Sequence, residues 1–180
     1  MSSRLSPREL VYCGLLGAAA LLLPLLFHLV HLGRVFMPMY LPLVTLPFFV
    51  RSLPAAITAA LVPLLSGALT GMPPFYPPVA VVMSIELGIM AAAIAWAVGR
   101  WPRANEWVVL IPALIVGRVL HVGLVYGFSL VIALPAGFMA GLSFLSGWPG
   151  IILMAVVVPS VARIARRSGR LAAARQRSVE

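Results

Sequence analysis

The chain has 180 residues, of which 62% are hydrophobic and 9% are charged, whereas soluble domains carry about 25% charged residues. This apolar excess excludes a soluble globular domain and indicates that lipid is the solvent for most of the protein surface. The net charge of +9 comes entirely from arginine, and the arginine-rich end of the chain favours anionic lipid headgroups over nucleic acid as its partner.

Six hydrophobic runs between breakers predict six transmembrane segments, at residues 9–32, 37–50, 54–70, 78–98, 106–134 and 149–164. The expected fold is therefore an all-α integral membrane protein, a bundle of about six transmembrane helices with a short, Pro-rich second span. Residues 135–148 are ambiguous between an outer loop and part of a helix. The predicted domain organisation is a six-span transmembrane domain over residues 1–165, followed by an Arg-rich cytoplasmic tail over residues 166–180.

The second run, residues 37–50, is short and contains Pro38, Pro42 and Pro47. Each proline removes a backbone donor, and such a segment is tolerated at membrane depth only where neighbouring protein or a cavity satisfies the broken backbone. The sequence therefore predicts that other parts of the protein enclose this segment.

The arginines predict the orientation of the chain. With six spans, one side of the membrane receives the Arg-rich tail together with Arg4, Arg8, Arg51, Arg100 and Arg103. The opposite loops contain only Arg34. Since cytoplasmic loops carry the excess of basic residues, we expect a multi-pass protein of the plasma (inner) membrane with both termini in the cytoplasm.

Glu86 is the only acidic residue in the interior of a predicted span, and a carboxylate in hydrocarbon is costly enough to indicate a site or a partner. It lies roughly 12 Å below the outer end of its span, and Arg118 and His121 lie at a similar depth on the next span. Arg118 and His121 are three residues apart and share a helix face. Two interpretations stay open: a buried Glu86–Arg118 pair that orients two helices, or a polar cluster that lines a ligand cavity.

Small residues give the first span a face that another helix can approach closely. Gly14, Gly17 and Ala18 lie in its first half. Small residues at helix interfaces permit close backbone contact. The face serves either internal packing or the docking of a partner protein.

No catalytic or metal-binding constellation is evident. The chain contains no aspartate, and its serines lie in no nucleophile motif. His28 and His31 share a face, but metal ligation requires a third ligand, and His121 is the only other histidine. A single cysteine, Cys13, excludes an internal disulfide. We therefore expect neither an enzyme nor a cofactor or metal site.

Three stretches resemble the substrate-binding S components of energy-coupling-factor (ECF) vitamin transporters. They are GRVFMPMYLPLV at 33–44, LVPLLSGALTGMPPFYPPVAVVMSIELGIMAAAI at 61–94 and GWPGIILMAVVVPSVARI at 147–164. The resemblance implies capture of a vitamin or related micronutrient at the outer face. It also implies assembly with a transmembrane coupling protein and two ATP-hydrolysing subunits, with Gly14-x-x-x-Ala18 as a loose match to the docking motif on the first helix.

The resemblance also implies a solute site in the outer half of the bundle. Its candidate contacts are Met39, Tyr40, Thr70, Phe75, Tyr76, Glu86, Arg118, His121 and Tyr126. Aromatic side chains would supply apolar area, whereas Arg118 and Glu86 would fix the orientation of the solute. An arginine at this depth favours a carboxylate-bearing vitamin of the pantothenate type. The main alternative is a structural six-span membrane protein of the cell-elongation or cell-wall machinery, whose polar groups would pair internally.

Overall fold

The computed structural model describes residues 5–29, 37–76, 78–131 and 148–177, with only the backbone described at 28–29, 148 and 165–177. Every regular element in these residues is helical. A 3-10 turn, Leu46–Phe48, follows the second of the six α-helices found in this part of the chain. The helices are α1 (Pro7–Leu29), α2 (Tyr40–Thr45), α3 (Ser52–Thr70), α4 (Val79–Arg100), α5 (Glu106–Val131) and α6 (Trp148–Arg177).

Four of these helices are long and apolar enough to cross a membrane, which confirms an all-α protein of membrane type. They are Pro7–Phe27 within α1, Ser52–Thr70, Val79–Arg100 and Glu106–Val131. Pro149–Ile164 within α6 forms a shorter apolar helix. The predicted boundary between residues 165 and 166 falls inside α6, which continues as one helix to Arg177. The ambiguous stretch 135–148 lies outside the described residues, except for Trp148 at the start of α6.

The Pro-rich segment is enclosed by protein, as its sequence predicted. Regular α-helix covers only six of its residues, Tyr40–Thr45. Leu43, Val44 and Leu46 are at most 1% exposed and belong to the main hydrophobic core. Because this segment is surrounded by other helices, its interrupted backbone does not face lipid.

A capping box fixes the start of α1. The backbone N–H of Glu9 donates to Ser6 Oγ at 3.2 Å, and the backbone N–H of Ser6 donates to Glu9 Oε2 at 3.0 Å. Pro7 occupies the first helical position, where no intrahelical N–H bond is lost. The S-P-R-E sequence therefore begins the helix with its exposed backbone groups satisfied.

Helix α3 ends in a left-handed turn before α4. Gly71 has φ of +73°, and its N–H donates to the Gly67 carbonyl at 3.0 Å. The Ser66 and Thr70 hydroxyls both donate to the Met72 carbonyl, at 2.6 and 3.2 Å. The turn is thus held to the last turn of α3 by side-chain hydrogen bonds.

Helices α3 and α4 pack closely in an antiparallel pair. A Cβ on Gly88 would lie 3.2 Å from the Ala60 Cβ, and the Ser84 hydroxyl donates to the Ala60 carbonyl at 2.5 Å. Small side chains thus allow α3 and α4 to approach closely, and the Ser84 hydroxyl finds its hydrogen-bond acceptor on the facing helix.

Two ion pairs bring several helix ends to one end of the bundle, here called the arginine end. Glu9 near the start of α1 pairs with Arg51, which precedes α3, with Nε and Oε1 2.8 Å apart. Glu106 at the start of α5 pairs with Arg163 of α6, with Nε and Oε2 3.3 Å apart. Arg100, at the end of α4, lines an open depression together with Glu9 and Arg51. Arginines far apart in the sequence therefore share this end.

Candidate functional site

Four polar side chains from three helices meet in the middle of the bundle and are here called the polar cluster. Tyr40 is the first residue of α2, Glu86 lies in α4, and Arg118 and His121 lie in α5. All four residues are at most 8% exposed. Burial of ionisable groups at this depth is costly, and such groups usually mark a site or pair with one another.

Glu86 is the centre of the hydrogen bonds in the polar cluster. The Tyr40 hydroxyl donates to Glu86 Oε2 at 2.5 Å, and His121 Nδ1 lies 2.7 Å from the same oxygen. When Nδ1 carries the proton, one carboxylate oxygen accepts from two donors, an arrangement that stabilises the ionised carboxylate. Through these contacts α4 is joined to both α2 and α5.

Arg118 completes the polar cluster and lines a small cavity with Tyr40 and Glu86. Its charge interacts electrostatically with the Glu86 carboxylate. The cavity has a volume of about 10 Å³, which is about the space that one water molecule requires. Drug-sized ligand pockets have volumes of about 300–1,000 Å³. In this structure, the cavity between the described residues is therefore closed to a vitamin-sized solute.

Matching depth on two antiparallel helices explains why these residues meet. Glu86 lies 14 residues before Arg100, about 21 Å along α4, and His121 lies 15 residues after Glu106, about 22 Å along α5. On α5, His121 is a hydrogen-bond partner of Glu86, as in the sequence interpretation that grouped it with Arg118 in one polar cluster.

Gly117 gives α4 and α5 the room to approach at this level. A Cβ on Gly117 would lie 2.7 Å from Met90 Sδ and 3.6 Å from Glu86 Oε1. Any side chain at this position would force Met90 to move. Sequence reasoning missed this role because the facing residues become known only from the packing of the two helices.

Apolar side chains close the cavity around the polar cluster. The chief ones are Met37, Met90, Leu114, Ile151 and Met154. Sequence reasoning named none of these residues, since apolar residues in apolar helices carry no distinguishing signal. Met39, which it did name, is buried at 4% exposure beside Tyr40.

The other predicted contacts lie away from the polar cluster. Thr70 is exposed and its hydroxyl bonds the Ser66 and Met72 carbonyls in the turn after α3. Phe75 packs over Gly67, where a Cβ would lie 3.0 Å from its ring, while Tyr76 is 72% exposed. Tyr126 is also exposed, five residues beyond His121 on α5.

The small residues of α1 divide between two environments. A Cβ on Gly17 would lie 3.5 Å from Thr58 Cγ2 and 3.7 Å from Val62 Cγ2, so Gly17 serves the packing of α1 on α3. Gly14 and Ala18 are exposed, and a Cβ on Gly14 would have no neighbour within 4 Å. The internal-packing interpretation therefore holds for Gly17, whereas Gly14 and Ala18 face outward.

The Glu9–Arg51 pair at the arginine end was also missed from the sequence. Arg51 Nε and Nη2 donate to the two carboxylate oxygens of Glu9 at 2.8 and 2.9 Å, and the Arg51 backbone N–H adds a third bond at 3.1 Å. Hydrogen bonding to this carboxylate raises the pKa of the Arg51 guanidinium above its ordinary value. The Ser-x-x-Glu pattern signals the helix start but not this pairing, which joins residues 42 positions apart.

Within the described residues, no group of three or more histidine, cysteine, aspartate or glutamate side chains is placed to hold a metal ion. His31 lies outside those residues, and only the backbone of His28 is described. The chemistry available in the described core is therefore that of a carboxylate, a phenol, an imidazole and a guanidinium. Such a set can hold a polar or carboxylate-bearing ligand if the cavity opens, or can lock three helices together if it stays closed.

No protein-family model, curated protein or solved structure matches the chain. The fold and the site together define an all-helical protein of membrane type with a buried polar cluster, and the function must be inferred from that cluster.

Proposed function

We propose that the protein is a membrane-embedded capture subunit for uptake of a vitamin or related micronutrient. The observation that carries this proposal is the polar cluster, in which four costly groups from three helices converge at mid-depth in an apolar bundle. The resemblance of residues 33–44, 61–94 and 147–164 to ECF S components supports the same function. On this proposal a transmembrane coupling protein and two ATPase subunits are its partners.

The solute class follows from the charge of Arg118. A guanidinium binds a carboxylate through two parallel hydrogen bonds, so a pantothenate-like carboxylate suits this position. The cavity of about 10 Å³ must enlarge before such a solute enters. Capture therefore requires α2, α4 and α5 to separate around Glu86. The solute would then replace part of the interaction between Glu86 and Arg118.

The proposal includes six spans with both termini in the cytoplasm. The grouping of Arg51, Arg100 and Arg163 at one end of the bundle supports a single basic, cytoplasmic face. Reporter fusions at Arg51 and Arg103 should report the cytoplasm, and fusions at Pro74 and Gly141 the outside. A reversed pattern at any two of these positions would overturn the topology.

Docking of the coupling protein is assigned to Gly14 and Ala18, which face outward. A Cβ at Gly14 has no neighbour within 4 Å, so Gly14→Leu should preserve folding and solute binding while it blocks assembly with the partner. Gly17→Leu is the contrasting variant, because it meets Thr58 and Val62 and should lower thermal stability. Normal assembly of Gly14→Leu would remove this face from the proposal.

The closed cavity favours a second candidate, a structural membrane protein of the cell-elongation or cell-wall machinery. In that role Glu86, Tyr40 and His121 would serve only to lock α2, α4 and α5 together. A space for about one water molecule suffices for such a lock, and no opening is needed.

A thermal-shift screen distinguishes the two candidates. Purified protein in detergent is heated with vitamins and their precursors, carboxylate-bearing compounds first. A solute present at a hundred times its dissociation constant should stabilise the fold by about 2.7 kcal/mol. An Arg118→Met variant should lose that stabilisation. If no vitamin or precursor stabilises the wild-type protein, the structural candidate replaces the uptake proposal.

A further inference from the structure

An open groove runs between α4 and α5 on the outside of the bundle, with a volume of about 1130 Å³. Small side chains line it, namely Ala93 and Ala97 of α4 and Ala113 of α5. The larger side chains of Trp96 and Val116 flank it and are at least 60% exposed. The groove is therefore a recess in the lipid-facing surface.

The groove has the length of one leaflet. It extends along α4 from Ile89 to Arg100, a distance of about 17 Å at 1.5 Å per residue. Half of a hydrocarbon core of about 30 Å is about 15 Å. The groove is thus long enough to hold an acyl chain that starts at the arginine end and extends to the middle of the bilayer.

The arginine end of the groove carries unneutralised positive charge. Arg100 and Arg103 both line the groove there, and both are exposed. Among the described residues neither makes a hydrogen bond or ion pair, in contrast to Arg51 and Arg163. Two free guanidinium groups at the membrane surface match a phosphate headgroup in charge and in hydrogen-bonding geometry.

Trp96 and Trp101 mark the same end as an interfacial level. Their rings contact each other edge to face, with centroids 5.5 Å apart, and both line the groove. Tryptophan prefers the boundary between headgroups and hydrocarbon. The groove is apolar over its length and cationic at one end. It therefore complements an anionic phospholipid, which has apolar acyl chains and a negatively charged headgroup.

We propose that the α4–α5 groove binds an anionic diacyl phospholipid, with an acyl chain on Ala93, Ala97 and Ala113 and the phosphate between Arg100 and Arg103. The lining of the groove includes none of the four residues of the polar cluster. Lipid binding there holds whether the protein captures a solute or has a structural role.

Quenching by brominated lipids tests this site in the full chain. With Trp107→Phe and Trp148→Phe, only Trp96 and Trp101 remain to report. The protein is reconstituted in vesicles of unlabelled phosphatidylcholine with a small fraction of acyl-brominated phosphatidylglycerol or acyl-brominated phosphatidylcholine. Phosphatidylglycerol should quench more strongly at equal mole fraction, because only its net negative charge is attracted by the two arginines.

Two variants test separately how the arginine charges and the shape of the groove contribute to lipid binding. Arg100→Gln with Arg103→Gln should lower the phosphatidylglycerol preference by up to about thirtyfold, whereas Arg4→Gln with Arg8→Gln, which removes the same charge elsewhere, should preserve it. Ala97→Phe, which fills the recess and keeps both arginines, should also reduce quenching by phosphatidylglycerol.

Equal quenching by the two lipids in the parent protein would overturn the proposal. So would a preference that survives the Arg100 and Arg103 double substitution, since the charge would then come from elsewhere. Weak and equal quenching, together with a cross-link from Ala97→Cys to another polypeptide, would assign the groove to a partner helix instead.

Discussion

The polar cluster and the ion pairs of the arginine end both join a glutamate to a basic side chain on another part of the chain. At the arginine end, the Arg51 side chain is 56% exposed and the Arg163 side chain 46% exposed, whereas their partners Glu9 and Glu106 are 10% and 11% exposed, so water reaches only the cation of each pair. In the polar cluster, the Glu86 and His121 side chains are 4% and 10% exposed. The cation of each pair thus reaches water at the arginine end, whereas both partners are nearly dry in the polar cluster.

This difference decides what each site can do. A pair with a half-exposed cation contributes less to stability because solvent already stabilises that charge. A buried pair gains no such help, and loss of one partner leaves the other charge without compensation. We therefore interpret the arginine end as a device that orients the helix ends, and the polar cluster as the place where a charged solute would exchange for an existing partner.

The largest expected effect comes from Glu86→Leu, which removes the carboxylate between Tyr40, His121 and Arg118. Stranding a buried charge typically costs about 3–5 kcal/mol, whereas joint replacement of both partners by apolar groups is often nearly neutral. We expect Glu86→Leu to lower thermal stability in detergent severely and Glu86→Leu with Arg118→Met to recover most of it.

The double variant also separates the two interpretations of the polar cluster. If the cluster forms the solute site, the recovered protein should fail to bind solute in equilibrium binding measurements. Solute affinity equal to that of wild type in the double variant would show that the cluster is only structural. Glu106→Leu is the matched control at the arginine end and should cost less than Glu86→Leu.

Gly117→Val should have the next largest effect. Its side chain would meet Met90 and press on Glu86, and overpacking of this kind costs about 1–3 kcal/mol. Gly123→Ala on the same helix is the control, because a Cβ there has no neighbour within 4 Å and alanine favours the helix. A stability of Gly117→Val equal to that of Gly123→Ala would contradict the close contact of α4 and α5.

Ser6→Ala should have a moderate effect at the arginine end. It removes the capping hydrogen bond to the Glu9 backbone, a loss that typically costs about 1 kcal/mol. Ser52→Ala at the start of α3 is the control, since the cap of that helix has no side-chain hydrogen bond. Equal thermal unfolding of the two variants would indicate that α1 does not depend on its capping box.

The smallest expected effect is a salt dependence. It tests most directly the difference in solvent exposure between the arginine end and the polar cluster. Raising NaCl to 1 M shortens the Debye length to about 3 Å and screens exposed charges far more than buried ones. The stability difference between wild type and Arg163→Gln should shrink in 1 M NaCl, whereas the difference between wild type and Glu86→Gln should stay. Equal salt sensitivity of both differences would place the polar cluster in contact with bulk solvent.

Local signals in the sequence were enough to predict much of the fold. The apolar runs at 54–70, 78–98 and 106–134 predict helical spans, because an apolar helix satisfies its own backbone in lipid. The described helices at these places are Ser52–Thr70, Val79–Arg100 and Glu106–Val131. Enclosure of the Pro-rich segment followed from the same requirement. Equal depth of Glu86, Arg118 and His121 could be counted along two helices that run in opposite directions. These inferences depend only on the rise per residue of an α-helix and on the fact that lipid is the solvent around it.

Tertiary structure alone decided which side chains touch. Helix rotation about its axis made His121 and Tyr40 the hydrogen-bond partners of Glu86, and it left Tyr126 exposed on the same helix as His121. Gly17 packs inward while Gly14 faces outward for the same reason. In a chain that is apolar all round, hydrophobic periodicity does not mark the buried face, since lipid and protein interior are equally apolar. The pairing of faces is therefore set by the fit of small and large side chains between helices, which no single helix encodes by itself.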